Sequence, residues 1–103
     1  MLFSRDELSL LKNGYFRIIR IEERFVTVQS KNTGHCWMIF KKVLETEKPV
    51  VLYHKHNITD EYYHEHKRDW TVAKVIKEIK KHDRYVVDHP NYLKRRKNGH
   101  KLA

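Results

Sequence analysis

Three apolar segments in the first half of the chain are separated by short polar turns, and this arrangement constrains the fold more than any other feature. Residues 15–22, 25–30 and 35–42 are rich in the β-branched and aromatic side chains that favour strands. Residues 22–24 are a polar link between the first two segments, and residues 31–34 supply turn-forming side chains before the third. Because links this short join antiparallel neighbours, the pattern predicts a three-stranded β-meander.

The third predicted strand is apolar on both of its faces. Cys36, Met38 and Phe40 alternate with Trp37 and Ile39, and successive residues of a strand point to opposite sides of the sheet. Two apolar faces are typical of a central strand that is covered on both sides. We expect the cover to come from helices or from a second subunit, so a homodimer or a protein-interaction domain is one interpretation.

Helices are predicted near both ends of the chain. Ser4 and Glu7 fit a capping box at the start of a short helix over residues 4–12, which Asn13-Gly14 ends. A longer helix begins near residue 71, because apolar residues recur there at helical spacing. Its apolar face consists of Val72, Val75, Ile76 and Ile79. After this helix, residues 84–88 are predicted to form a short strand.

The polar middle of the chain extends the sheet. Residues 50–56 are predicted as a fourth strand. If the chain turns back at residues 57–60, residues 62–66 form a fifth strand, and Lys55 and Glu65 meet as a cross-strand ion pair. The predicted fold class is therefore α+β: a mainly antiparallel sheet of four to six strands, with a short N-terminal helix and a longer helix near the C-terminus packed on it.

Length and composition limit the domain organisation and the cellular location. A chain of 103 residues that is 40% hydrophobic forms one domain, which we assign to residues 1–91, with residues 92–103 as a basic tail. No apolar run approaches the roughly 20 residues that a membrane span needs. The N-terminus lacks the basic segment of a signal peptide, and the single cysteine, Cys36, suits a reducing compartment. We therefore predict a cytoplasmic protein.

Two His-x-His pairs lie close together in the chain. Their members, which are the candidate metal ligands, are His54, His56, His64 and His66. In an extended segment both histidines of a pair point to the same side, and neutral imidazole is the commonest metal ligand, so Zn²⁺ is the candidate cofactor. A second interpretation is a metal-free acid/base pair of a small ribonuclease, with Lys55 or Lys67 holding phosphate and His82-Asp83 offering another imidazole. A third is a half-exposed polar surface of the sheet.

Positive charge is concentrated towards the C-terminus. The formal net charge is +9, and it falls to +4 without the five basic residues of the stretch 94–101, which contains no acid. Clustered lysine and arginine side chains neutralise phosphates, although a short basic tail is also a common solubilising terminus. The candidate nucleic-acid contacts, along the second helix and in the tail, are Lys74, Lys77, Lys81, Arg84, Lys94, Arg95, Arg96 and Lys97.

These observations predict a small basic cytoplasmic binding module for nucleic acid, acting through the second helix and the tail. The alternatives are a histidine-centred metal-binding protein or small nuclease or hydrolase, and a protein-interaction domain or homodimer. The chain has three glycines and no glycine-rich phosphate loop, so nucleotide hydrolysis is not expected. We assign no catalytic residue, and the sequence favours a binding role over an enzymatic one.

Overall fold

A computed structural model of the chain describes residues 2–44 and 47–90. Within these residues it contains two helices and five strands. Their order is α1 (Arg5–Leu11), β1 (Phe16–Ile21), β2 (Phe25–Ser30), β3 (Cys36–Lys41), β4 (Val50–Lys55), β5 (His64–Asp69) and α2 (Val72–Asp88). The predicted α+β class is confirmed.

The five strands form a single antiparallel meander in which spatial order follows chain order, β1-β2-β3-β4-β5. The predicted central position of β3 is therefore confirmed. Two glycines adopt the left-handed backbone that side chains disfavour. Gly34, with φ 78°, lies in the turn before β3, and Gly14, with φ 91°, follows α1. Both lie in segments predicted to be turns.

One face of the sheet packs against the helices and forms the core. Trp37 and Ile39 of β3 and Leu52 of β4 are fully buried there. The apolar side of α2 covers them, and its four predicted core residues are buried, which confirms the predicted orientation of the helix. These residues are Val72, Val75, Ile76 and Ile79.

Side chains cap both helices at their N-termini. Ser4 and Glu7 form the predicted capping box of α1: the Glu7 backbone N–H donates to the Ser4 hydroxyl, and the Glu7 carboxylate accepts from the Ser4 backbone N–H. In α2, the Thr71 hydroxyl accepts from the Lys74 backbone N–H. These bonds satisfy backbone donors that a helix start otherwise leaves without partners.

The other face of the sheet has less cover than the sequence predicted. Cys36 is fully buried there, but Met38 and Phe40 are half-buried. Among the described residues, both helices contribute their buried side chains to the core around Trp37. The helical cover that was predicted for both faces of β3 is therefore present, within the part of the chain that the structure describes, on the face that carries Trp37. Neither described helix combines the length and the apolar character that crossing a lipid bilayer requires.

The C-terminal helix is longer than predicted. Residues 84–88 continue α2 and do not form a strand. The prediction followed the local β propensity of Tyr85, Val86 and Val87, but propensity is a weak preference that tertiary contacts override. In this helix the buried Asp83 binds side chains from the sheet region, which holds the last turns in place. The helix ends at Asp88, close before Pro90.

Two predictions about β5 are also wrong, one on a side-chain pair and one on the bounds of the strand. Glu65 pairs in register with Tyr53 rather than Lys55, and its carboxylate binds Arg68. The strand itself runs over His64–Asp69, later in the chain than the predicted 62–66. Trp70, which follows the strand, is 47% exposed.

Candidate metal centre

Three histidines from different parts of the chain come together where α2 packs against the sheet. His35 directly precedes β3, His54 belongs to β4 and His82 belongs to α2. In the register of β3 and β4, Trp37 is the partner of His54, so the His54 ring lies on the helix-covered face. When one ring nitrogen is taken from each histidine, the three nitrogens lie within 4.8 Å of one another.

The spacing of the three rings resembles that of ligands around one ion. Their centroids are 5.0 Å apart for His35 and His54, 5.3 Å for His35 and His82, and 4.7 Å for His54 and His82. Imidazoles that hold a tetrahedral ion at the usual metal–nitrogen distance of roughly 2.0–2.1 Å have centroids about 5 Å apart. The rings are therefore already at suitable separations.

Two ring nitrogens of this cluster are buried without a hydrogen-bond partner among the described residues. His35 Nδ1 lies 2.9 Å from His54 Nε2, so one of these two atoms donates to the other. His35 Nε2 and His82 Nδ1 have no such partner. Buried polar atoms are nearly always satisfied, and exceptions call for an explanation such as a bound ion. A cation shared by these nitrogens would satisfy their lone pairs.

The environment keeps the three imidazoles in their neutral form. Burial, together with the nearby His82 and His56, lowers the pKa of His35 to about 4. Burial, followed by the neighbouring histidines, also sets the pKa of His54 far below its usual range. Burial lowers the pKa of His82 as well. Neutral imidazole is the form that ligates metals.

A buried indole supports the cluster from the sheet side. Trp37 is fully buried, and its ring stacks on His54 with centroids 4.2 Å apart. The Trp37 indole N–H donates to the Ser30 hydroxyl at 3.0 Å. This bond and the stacking restrict the rotation of the His54 ring.

A buried carboxylate anchors the part of α2 that carries His82. Asp83 is fully buried and accepts hydrogen bonds from the Tyr15 hydroxyl at 2.6 Å and from the Thr33 hydroxyl at 2.9 Å. Burial and the contact with Asp83 raise the pKa of Tyr15 well above its usual value. These two hydrogen bonds connect α2 to the residue that precedes β1 and to the turn before β3. They bring His82 towards His35.

Two further histidines flank the three. The His56 ring lies 5.2 Å from His35 and 5.0 Å from His54. The His66 ring lies 5.7 Å from His54 and 5.4 Å from His82. The cluster therefore contains five histidines, of which His35 and His54 are the most deeply placed, at 1% and 8% exposure.

The structure brings together three of the four histidines predicted from the paired motif. His54, His56 and His66 lie in the cluster through ring contacts, whereas among the described residues no ring contact joins His64 to it, although His64 is the register partner of His54. The sequence interpretation missed His35 as a ligand and offered His82 only for the acid/base alternative, not for the metal site. Strand alternation places His35 on the face of Trp37 and Ile39, and helical spacing places His82 three residues after the core residue Ile79, so both signals were present.

The predicted nucleic-acid contacts divide into two groups. Lys74, Lys77, Lys81 and Arg84 are exposed on α2. Spacings of three or four residues place them on one side of the helix. The candidate contacts in the tail, like the whole segment 92–103, lie outside the described residues. They are Lys94, Arg95, Arg96 and Lys97.

Comparison with models of known protein families, with curated proteins and with solved structures found no match to this chain. A functional interpretation therefore depends on the site itself.

Proposed function

We propose that this protein binds a divalent transition metal, with Zn²⁺ as the best fit, through His35, His54 and His82. The observation that carries the proposal is the convergence of three neutral imidazoles at ligand-like spacing, two of them buried and that of His82 half-buried; two of the three have a ring nitrogen without a partner among the described residues. The proposal corresponds to the metal-binding alternative from the sequence, keeps one of its four candidate ligands, His54, and adds His35 and His82.

The type of donor atom favours transition metals over Mg²⁺ and Ca²⁺. Imidazole nitrogen suits zinc, copper and nickel, whereas magnesium and calcium prefer oxygen ligands. The buried thiol of Cys36 lies near the Gly34 carbonyl oxygen, on the opposite face of β3, so sulfur is not part of the donor set. Binding would draw the ligating nitrogens to about 3.3 Å from one another.

Zinc titration of the chelator-treated protein tests the proposal. Because an ion that binds only the folded state stabilises it, zinc at 100 times its Kd should add about 2.7 kcal/mol to the free energy of unfolding. Isothermal titration calorimetry should give one ion per chain, and His82→Gln should lose the stabilisation. His64→Ala, which removes an exposed histidine from the same protein, is the matched control and should retain it.

Two results would contradict this function. One is the absence of one-to-one binding of zinc, cobalt or nickel to the wild-type protein. The other is equal affinity in the wild type and in a folded His82→Gln variant. Binding should also weaken below about pH 6, because protons compete for the ring nitrogens.

Nucleic-acid binding is the second candidate function. It is supported by the row of exposed basic side chains along α2, which consists of Lys74, Lys77, Lys81 and Arg84. If the tail also contacts phosphates, deleting residues 94–103 should weaken binding and reduce the slope of log affinity against log salt by at most about 4. Gel-shift titration measures this, and unchanged affinity at low salt would remove the tail from the interaction.

The remaining predictions concern assembly and location. A homodimer or a protein-interaction surface is supported by the half-buried Met38 and Phe40 on the outer face of the sheet; light scattering of the purified protein measures the oligomeric state. A cytoplasmic location is proposed from the single buried thiol, Cys36.

A further inference from the structure

The pairing of β4 with β5 contains a bulge at the edge of the histidine cluster. Leu52 pairs with Lys67 and Tyr53 pairs with Glu65, so His66 is an extra residue between two consecutive pairs. A bulge of this kind changes the direction of side chains and often lies next to functional sites. Here it allows two consecutive residues, His66 and Lys67, to reach the same side chain of α2, Glu78.

His66, the extra residue of the bulge, has its ring beside the three histidines. Its centroid is 5.4 Å from that of His82, with the rings perpendicular, and 5.7 Å from that of His54. Both distances are close to the separation of about 5 Å expected for imidazoles around one tetrahedral ion. The edge of the His66 ring also packs against Trp37 at 5.6 Å. His66 therefore lies beside the group of three, at ring separations from His54 and His82 near those of ligands that share one ion.

Glu78 determines which nitrogen of His66 is available. The Glu78 carboxylate lies 3.3 Å from His66 Nε2, and the Lys67 ammonium lies 3.5 Å from its other oxygen. Burial alone would raise the pKa of Glu78, but Lys67 and the hydrogen bond with His66 lower it. An ionised carboxylate that accepts the proton of one ring nitrogen is the usual partner of a metal-bound histidine. Such a contact at Nε2 leaves Nδ1 free to coordinate.

We propose that His66 is the fourth ligand, through Nδ1, and that Glu78 is the positioning residue that orients it. This inference depends on the proposed metal-binding function and makes the site a closed one, with four imidazoles from the start of β3, from β4, from β5 and from α2. An ion held by four protein ligands has no open position for water, which is the arrangement of structural rather than catalytic zinc sites. The ion would then fasten the edge strand β5 to α2.

Cobalt substitution tests the number of protein ligands. Four-coordinate Co²⁺ absorbs visible light much more strongly than five- or six-coordinate Co²⁺, so the wild-type protein should show an intense band at one equivalent. In His66→Ala a water would fill the fourth position, so the band should change with pH as that water loses a proton, whereas the wild-type band should not. His64→Ala, in the same strand, and His56→Ala, in the same cluster, should retain the intense band.

Glu78→Gln separates the positioning role from coordination. It should keep the intense band and weaken cobalt affinity by about 10- to 100-fold, because loss of the carboxylate partner makes the ring a poorer ligand. Hydrogen exchange gives a second measurement: one equivalent of Zn²⁺ should slow exchange of the β5 amides in the wild type and not in His66→Ala. Circular dichroism of each variant in chelator checks that it is folded.

The outcomes distinguish this inference from the proposed function. If the wild-type cobalt band changes with pH as that of His66→Ala does, water already holds the fourth position, so His66 is not a ligand and the metal function stands. The same conclusion follows if His56→Ala, and not His66→Ala, makes the band depend on pH. If the wild type binds no ion, the proposed function and the assignment of His66 both fall.

Discussion

Acidification of the metal-free protein should destabilise it well above the pH at which carboxylates titrate. Burial lowers the pKa of His35 from 6.5 to about 4, with further lowering by His82 and His56 that Asp83 and Asp60 oppose. The unfolded chain therefore binds a proton at His35 more readily than the folded chain does. Stability that depends on the neutral ring is present above the unfolded pKa and is lost as the pH falls through 6.5 towards 4.

The size of this effect follows from the difference between the two pKa values. Each pH unit of that difference corresponds to about 1.4 kcal/mol, so His35 contributes on the order of 3 kcal/mol at neutral pH. About 2 kcal/mol of it should be lost between about pH 7.5 and about pH 5. His54 and His82, whose pKa values are also lowered, act in the same direction, so the total loss should exceed the contribution of His35.

Urea denaturation in the presence of a chelator measures this loss, with circular dichroism as the signal at each pH. His35→Gln, which does not titrate, should show a pH dependence smaller by about 2 kcal/mol over the same interval. His64→Ala, which removes an exposed histidine, should behave like the wild type. A free energy of unfolding that stays constant from about pH 7.5 to about pH 5 would refute the reasoning, because it would mean that the buried imidazoles are not held neutral by the fold.

Two further predictions concern the packing of α2. Tyr15→Phe should lower the free energy of unfolding by about 1.5–3 kcal/mol, because it removes a hydrogen bond to the buried carboxylate of Asp83. Denaturant titration measures this loss, and Tyr62→Phe, at a residue that is 70% exposed, is the control. A loss in Tyr15→Phe no larger than that in Tyr62→Phe would contradict the prediction. Ile76→Ala should lower the free energy of unfolding by about 2–5 kcal/mol, because it leaves a cavity beneath the helix. Lys77→Ala, at an exposed neighbour, should change it by less than about 0.5 kcal/mol. Similar losses in both variants would contradict the described helix orientation.

The elements that could be predicted are those whose patterns are local. The turn at residues 31–34 and the capping box of Ser4 and Glu7 depend on neighbouring residues only, and both are confirmed. The buried side of α2 follows from helical spacing alone. The end of α2 could not be predicted in the same way, because residues 84–88 have strand propensity and their helical state depends on contacts that Asp83 makes with distant residues.

The candidate site was only partly predictable for the same reason. The paired motif identified His54, His56 and His66, but it could not separate His66 from His64, because alternation places both on the same side of a strand. The bulge at His66 was not predictable either, because a bulge depends on how β4 and β5 pair rather than on the sequence of one strand. With regular alternation, His66 and Lys67 would have faced opposite sides of the sheet.

By itself, the sequence determined the antiparallel meander, the two helices and the faces that they bury, because side-chain periodicity and turn chemistry act over a few residues. Only the tertiary structure decided which histidines meet. His35 and His54 are 19 residues apart in the chain, and their ring nitrogens are 2.9 Å apart in the fold; His82 reaches them because α2 packs across the sheet. Such distances depend on strand register and helix docking, which are set by the packing of the whole core around Trp37.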